Sequence, residues 1–325
     1  MRRREFIGLL GSAAAAWPQA ARAQQESLAL VGFLQPGAPS SAAHYVAAFR
    51  QGLLSTGHVE GKTLIVEYRW AEGHYERLYQ LAIDLVARGV SVIAAGGPGA
   101  VAAVKSVTST IPIVFIVGDD PVQDGLVASL NHPGGNLTGV SVFTTADLWG
   151  KRLQLLHELL PVASAVTILI NPNEPNPETE QIGEAGRALG LELSFVNVTT
   201  DAQIEAGFAA ASGHGNAAFL VSDKPFFTAR HSRIAGYAAR YLVPAVYGWR
   251  EYVEAGGLIS YGNRLSDAWE QVGVYTGKIL NGEQAGELPV VQPTAFELAI
   301  NMKTAYNLGL TVPATLLARA DEVIE

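Results

Sequence analysis

Two short segments place acids just past apolar runs. Ile113–Val117 stops at Gly118-Asp119-Asp120-Pro121, and Ala217–Val221 stops at Ser222-Asp223-Lys224-Pro225. A short apolar run cut by Gly, Pro, Ser or Asp reads as a buried strand, so Asp119, Asp120, Ser222 and Asp223 stand at strand ends. Asp120 and Asp223 occupy equivalent places, and either carboxylate suits an ammonium through a charge-assisted hydrogen bond. Similar loops follow other apolar runs: Gln35-Pro36-Gly37-Ala38, Gly96-Gly97-Pro98-Gly99 and Asn171-Pro172-Asn173. A ligand carboxylate is expected on the N–H groups after Gly96-Gly97-Pro98, where a helix opens. Tyr247, Trp249 and Tyr261 offer an aromatic wall. The expected ligand contacts are thus Gln35, Ala38, Gly97, Pro98, Asp119, Asp120, Asn171, Asn173, Ser222, Asp223, Tyr247, Trp249 and Tyr261. Taken singly, Ser, Asp and Asn in such loops also serve as helix caps; their shared position is the argument.

Other chemistries find less support. With no Cys there is no disulfide, thiolate zinc site or cysteine nucleophile. The seven His are scattered without an H-E-x-x-H spacing. Gly139-Val140-Ser141-Val142 lacks the second Gly of a nucleophile elbow, and His132 beside Pro133 reads as a loop hydrogen-bonder. Asp119 and Asp120 diverge on an extended chain and have no evident third ligand for a cation. The main enzymatic rival is a nucleotide-cofactor site, because Gly97-Pro98-Gly99 with Ala102 imitates G-x-G-x-x-A and Asp119 lies about 20 residues on. Against it, the match is absent from the first strand–loop–helix unit, and Pro98 removes one N–H donor. No cofactor, no metal and no catalytic residue are expected.

The elements that would position these loops form one pattern written twice. Leu28–Leu34 reads as a strand followed by a helical stripe through Tyr45, Phe49, Leu53 and Leu54. Further strands are expected at 63–70, 90–95 and 113–117, with helices at 75–88 and after Gly99. From Ala165 the order recurs, with strands at 166–170, 191–198, 217–221 and 245–247 and helices at 179–189, 202–211 and 228–241. Alternation at this spacing implies parallel sheets covered by helices on both faces. The fold class is α/β, with two doubly wound lobes and a ligand cleft beyond the carboxyl ends of their strands. A tail strand at 258–261, a helix at 267–280 and a strand at 296–300 suggest one return to each lobe. The expected division is 28–142 plus 258–288 for the first lobe and 143–257 plus 289–325 for the second. The chain would cross near 141–145, 256–257 and 287–293.

The first 23 residues stand apart. Arg2, Arg3 and Arg4 precede the uncharged Phe6–Ala21, which ends in Ala21-Arg22-Ala23, a secretion-signal pattern with a small-x-small cleavage site. Arg3-Arg4-Glu5-Phe6-Ile7 also resembles a twin-arginine export motif. The apolar stretch Phe6–Trp17 is shorter than the roughly 20 residues that span a bilayer. Cleavage near Ala23 would leave 302 of the 325 residues, shedding four of 22 basic and one of 30 acidic side chains for a formal charge of −11. Such an acidic exported protein, expected in the periplasm, has little to attract nucleic acid. At 49% hydrophobic and 16% charged residues it is no disordered chain.

Four segments also resemble a known family. They are Asp119-Asp120-Pro121-Val122, the stretch from His132-Pro133-Gly134-Gly135-Asn136 to Val140, Ser222-Asp223 followed by Pro225-Phe226-Phe227, and the tail from Phe296-Glu297-Leu298 through Ala320-Asp321-Glu322-Val323-Ile324. Together they resemble the substrate-binding proteins of ABC transporters, of the TrpX-like type that includes tryptophan and tyrosine binders. The resemblance implies a type I periplasmic-binding-protein fold with a three-strand hinge, a monomeric form, lobe closure on a small solute such as an amino acid or aromatic compound, and delivery to an inner-membrane permease. A ligand-sensing role for a signalling receptor is the alternative within that fold. Lys224 departs from the family pattern, interrupting the run from Asp to Pro-Phe-Phe.

Overall fold

The computed structural model describes residues 28–142, 146–174, 179–213 and 217–325. The expected export signal lies outside them.

The first sheet is built from β1 (Ala29–Gln35), β2 (Leu64–Trp70), β3 (Val92–Gly96), β4 (Ile113–Val117) and β5 (Leu137–Ser141). All pair in parallel, in the order β2-β1-β3-β4-β5. β3 and β4 are buried along their whole length, which is why their sequences are unbroken apolar runs. The helices α1 (Ala43–Ser55), α2 (Leu78–Ala87) and α3 (Pro98–Val107) connect these strands. β5 and the long helix α4 (Ala146–Leu159) that follows it had no counterpart in the sequence reading, since Leu137-Thr138-Gly139-Val140-Ser141 mixes polar and apolar residues without alternation.

The second sheet contains β6 (Ala165–Ile170), β7 (Glu192–Asn197), β8 (Ala217–Val221), β9 (Ala245–Tyr247), β10 (Ile259–Gly262), β11 (Glu297–Asn301) and β12 (Glu322–Ile324). Their order is β12-β11-β10-β9-β8-β6-β7. The intervening helices are α5 (Thr179–Ala188), α6 (Asp201–Ala211), α7 (Pro225–Thr228), α8 (His231–Tyr241), α9 (Arg250–Glu254), α10 (Leu265–Leu280), α11 (Met302–Asn307) and α12 (Ala314–Leu317). The sheet is mixed: β11 runs antiparallel to β10.

The tail departs from the expected division. β10 was assigned to the first lobe, but it pairs with β9 and β11 in the second sheet. The reason lies at Gly256-Gly257, expected as a crossing point. Gly256 has a φ of 98° and donates its N–H to Val253 O, while Gly257 N–H returns to Tyr252 O at 2.7 Å. This left-handed stop ends α9 and turns the chain back beside β9. The chain crosses only after β10, at Asn263, and sends α10 and the segment that follows it to the first lobe. There α10 packs on α1, β3, β4 and β5. The return crossing comes later than 289 too, because Val291 still donates to Gly139 O and pairs with Val140. Asn263 Nδ2 reaches Pro293 O and Ala295 O, both at 3.2 Å, and so ties the two later crossings side by side. Of the first crossing, residues 143–145 lie outside the described ones.

The α1–α10 contact is close because both helices carry glycine there. A Cβ at Gly52 would overlap Glu270 O, and one at Gly273 would overlap Phe49 O. Beneath them Val31, Phe33 and Phe49 meet Trp269 and Val272 in a core that continues across the cleft to Phe226 and Trp249 of the second lobe.

Candidate ligand-binding site

In each sheet the strand order reverses once among consecutively connected strands: between β1 and β3 in the first, and between β6 and β8 in the second. Loops diverge at such points and leave a crevice at the carboxyl ends of the strands. The two crevices face each other and form a cleft with about 750 Å³ of empty space, its opening included. From the first lobe it is lined by Gln35, Tyr45, Gly97, Pro98, Ile116, Asp119 and Trp269; from the second by Asp223, Lys224, Pro225 and Trp249; Val142 lies at the crossing.

Among the residues singled out in the sequence, Gln35, Gly97, Pro98, Asp119, Asp223 and Trp249 reach this cleft. The others do not. Ala38 lines a separate outer depression with Arg230 and His231. Asp120 is a loop cap whose Oδ1 accepts Val122 N at 2.9 Å and Gln123 N at 3.2 Å. Asn171 is buried and closes an Asx turn, accepting Asn173 N at 3.0 Å, and Asn173 borders a side pocket next to Tyr75 and Glu174. Ser222 is fully buried, its Oγ taking Lys224 N. Tyr247 is core, stacked on Tyr252 with ring centroids 4.4 Å apart. Tyr261 stacks on Phe296 outside the cleft. In β10 the side chains of Ser260 and Tyr261 fall on opposite faces, and Tyr261 takes the outer one.

The acids of the cleft have protein partners. Lys224 Nζ forms a buried ion pair with Asp119 Oδ1 across the lobes. Asp223 Oδ2 accepts Arg152 Nη1 at 2.9 Å, and Arg152 Nε donates to Tyr261 O at 2.8 Å. Arg152, from α4, has no exposed surface. Trp249 Nε1 donates to Asp223 O at 3.0 Å, which fixes the indole at the cleft wall. Gly97 N–H is spent on Ile116 O at 2.8 Å and Pro98 has none, so any carboxylate seat at the start of α3 falls to the N–H groups after Pro98. Pro225 Cγ of the second lobe would lie 3.0 Å from a Cβ on Gly97, so the turn is covered where a pyrophosphate would sit.

Two further contacts, at Glu174 and at Glu251, bridge the lobes. Tyr75 OH of the first lobe donates to Glu174 Oε1 at 3.0 Å, an oxygen that also accepts Phe226 N of its own lobe at 3.1 Å. Burial pushes the Glu174 carboxyl up to about 7, against the downward pull of these hydrogen bonds. His44 Nε2 lies 3.5 Å from Glu251 Oε1. Beside them, burial and then the Glu251 charge hold the Tyr45 phenol protonated well beyond its usual range. The lobes are therefore in contact on several sides of the cleft.

Two α/β lobes joined by three crossings and closed over a cleft at their switch points define a two-lobed binding protein. A family model described as ABC transporter substrate binding protein matches residues 32–324, and the chain belongs to that family. A tyrosine-binding protein of Clostridioides difficile (strain R20291) is 22% identical over 264 residues, 81% of this chain and 75% of that protein. A conserved domain protein of Vibrio cholerae is 26% identical with a TM-score of 0.81, covering 91% of this chain and 100% of that one. An ABC domain from Streptococcus pneumonia in complex with L-Trp is 24% identical, also with a TM-score of 0.81, covering 92% and 100%. Among the described residues, no helix is long and apolar enough to cross a membrane.

Proposed function

We propose that this protein is exported, captures a small solute such as an amino acid or aromatic compound by lobe closure, and presents it to an inner-membrane ABC permease. The observation that carries this reading is the cleft itself. Both switch points open into it, and Tyr45, Trp249 and Trp269 line it. The energetics favour closure around a ring. An aromatic group buries about 150–250 Å² of surface, worth about 4–6 kcal/mol at 25 cal/mol per Å². A buried ion pair such as Asp119–Lys224 roughly breaks even against its desolvation, so the solute supplies the balance that keeps the lobes together.

No bond is made or broken in this scheme. The relative named for tyrosine and the one bound to L-Trp support an aromatic amino acid as the first solute to try. The test is a thermal-shift and calorimetric screen of purified protein against amino acids, aromatic acids and sugars, with small-angle scattering to follow closure. A solute that binds and contracts the protein supports capture. Failure of every solute to bind, or chemical turnover of a bound one, overturns it.

A further inference from the structure

Three loops of the first lobe present glycine to one turn of the second. They are the loops that follow β1, β2 and β3, and the turn is α7 with the two residues after it, Ala229 and Arg230. A Cβ on Gly37 would stand 3.6 Å from Ala229 Cβ, one on Gly73 3.2 Å from Arg230 Nη2, and one on Gly97 3.0 Å from Pro225 Cγ. Longer side chains at these places would meet the second lobe before the lobes had come this far together. Gly73 and Gly97 also have φ of 86° and 81°, which other residues adopt only with strain.

The turn is held firmly by its own lobe. Phe226 and Phe227 are buried beneath it. Thr228 Oγ1 donates to Asp223 O at 3.1 Å, Arg230 Nε to Asp201 Oδ1 at 2.6 Å, and Arg230 Nη1 to Phe226 O at 2.9 Å. The guanidinium also lies over the Phe226 ring, 4.0 Å from its centroid. Close-packed groups fixed in this way yield little under load, so the contact ends the closing motion abruptly. Lys224, which opens the turn, pairs with Asp119 across the same seam and draws the two sides together.

The seam is also a wall of the cleft. Gly37, Ser41 and Ala229 border both the cleft and the outer depression that holds Ala38. Gly97 and Pro225 border both the cleft and the side pocket of Tyr75 and Glu174. The contacts that limit closure therefore seal the cleft on two sides.

Resting on the lobe closure of the capture reading above, we infer that Gly37, Gly73 and Gly97 with Pro225–Arg230 form a steric stop that sets how far the lobes close, and with it the room left for a solute. Selection by size then depends on some of the smallest residues of the cleft. Bulk added at Ala229 holds the lobes apart without unfolding either one, because its helical φ of −63° suits any side chain.

The experiment needs no solute. The chain has no cysteine, and the 3.6 Å between the Cβ positions of residues 37 and 229 falls within the span of about 3.5–4.5 Å found in disulfides. The double variant Gly37→Cys with Ala229→Cys, treated with oxidised glutathione, should lose both free thiols within one chain. Small-angle scattering should then show it no larger than the unaltered protein. Ala229→Trp should have a larger radius of gyration and Ala229→Ser should not, with far-ultraviolet circular dichroism confirming that each is folded. Thiols that persist in a folded double variant overturn the inference, as does an Ala229→Trp protein as compact as Ala229→Ser. If the disulfide forms and the tryptophan variant opens while the capture screen finds no solute, capture fails and the stop stands. If a solute contracts the unaltered protein and Ala229→Trp to the same size, the stop fails and capture stands.

Discussion

Lys224 of the second lobe and Asp119 of the first, 105 positions apart in the chain, meet as a buried ion pair that spans the ligand cleft. Each charge is hydrated when the lobes separate and matched only when they meet. Lys224→Ala would leave Asp119 buried in the closed form without its cation, a deficit of about 3–5 kcal/mol for a broken buried pair. The expected result is a more open unliganded protein, seen as a larger radius of gyration, with at least a tenfold loss of affinity for a neutral solute. An unchanged scattering profile together with unchanged affinity would show that the pair takes no part in closure.

Arg152 is a positioning residue for Asp223 and for the edge of β10. Its Nε serves Tyr261 O and its Nη1 serves Asp223, a fork that lysine cannot reproduce. Arg152→Met strands a buried acid and should cost about 3–5 kcal/mol in urea unfolding. Arg152→Lys should recover only part of this. Full stability of either variant would sink the assignment.

Glu174 gives closure a pH dependence. Burial raises its carboxyl to about 7, whereas an exposed glutamate titrates near 4.3. The closed form therefore holds the proton more tightly than a form in which Glu174 is hydrated. Closure is favoured at low pH and weakens as pH rises through this window, levelling off above about 7. Solute Kd, measured from pH 5 to 8, should rise by more than about tenfold, and Glu174→Gln should flatten the profile. A Kd that falls with pH would contradict the sign.

The α1–α10 crossing depends on missing side chains. Gly273→Ala forces a Cβ against the Phe49 carbonyl, which belongs to backbone and cannot swing aside. We expect a loss of more than about 2 kcal/mol in thermal unfolding. Retained stability would mean that the helices separate at little cost.

Much of the cleft can be read from strand ends, because a parallel sheet must place its loops at one edge. Gln35, Gly97, Asp119 and Asp223 follow from that rule. Arg152 and Trp269 do not, since both come from helices whose lobe is decided by packing, far from the loops they join. Lys224 was visible as a departure from the family pattern; its partner was not, because the contact crosses lobes. The aromatics misled where local stacking took them: Tyr247 onto Tyr252 and Tyr261 onto Phe296. Gly256-Gly257 looked like a hinge because helix stops and hinges use the same residue.

The late return of α10 also orders the birth of the molecule. All five strands of the first sheet have been made by Ser141, yet the helix that covers Val31, Phe33 and Val114 ends only at Leu280. A chain emerging from its amino end must hold that apolar face open until the whole of the second lobe up to β10 has followed. The first lobe begun thus waits for most of the second before it is covered, and an unfinished chain is exposed to aggregation through one face of one sheet.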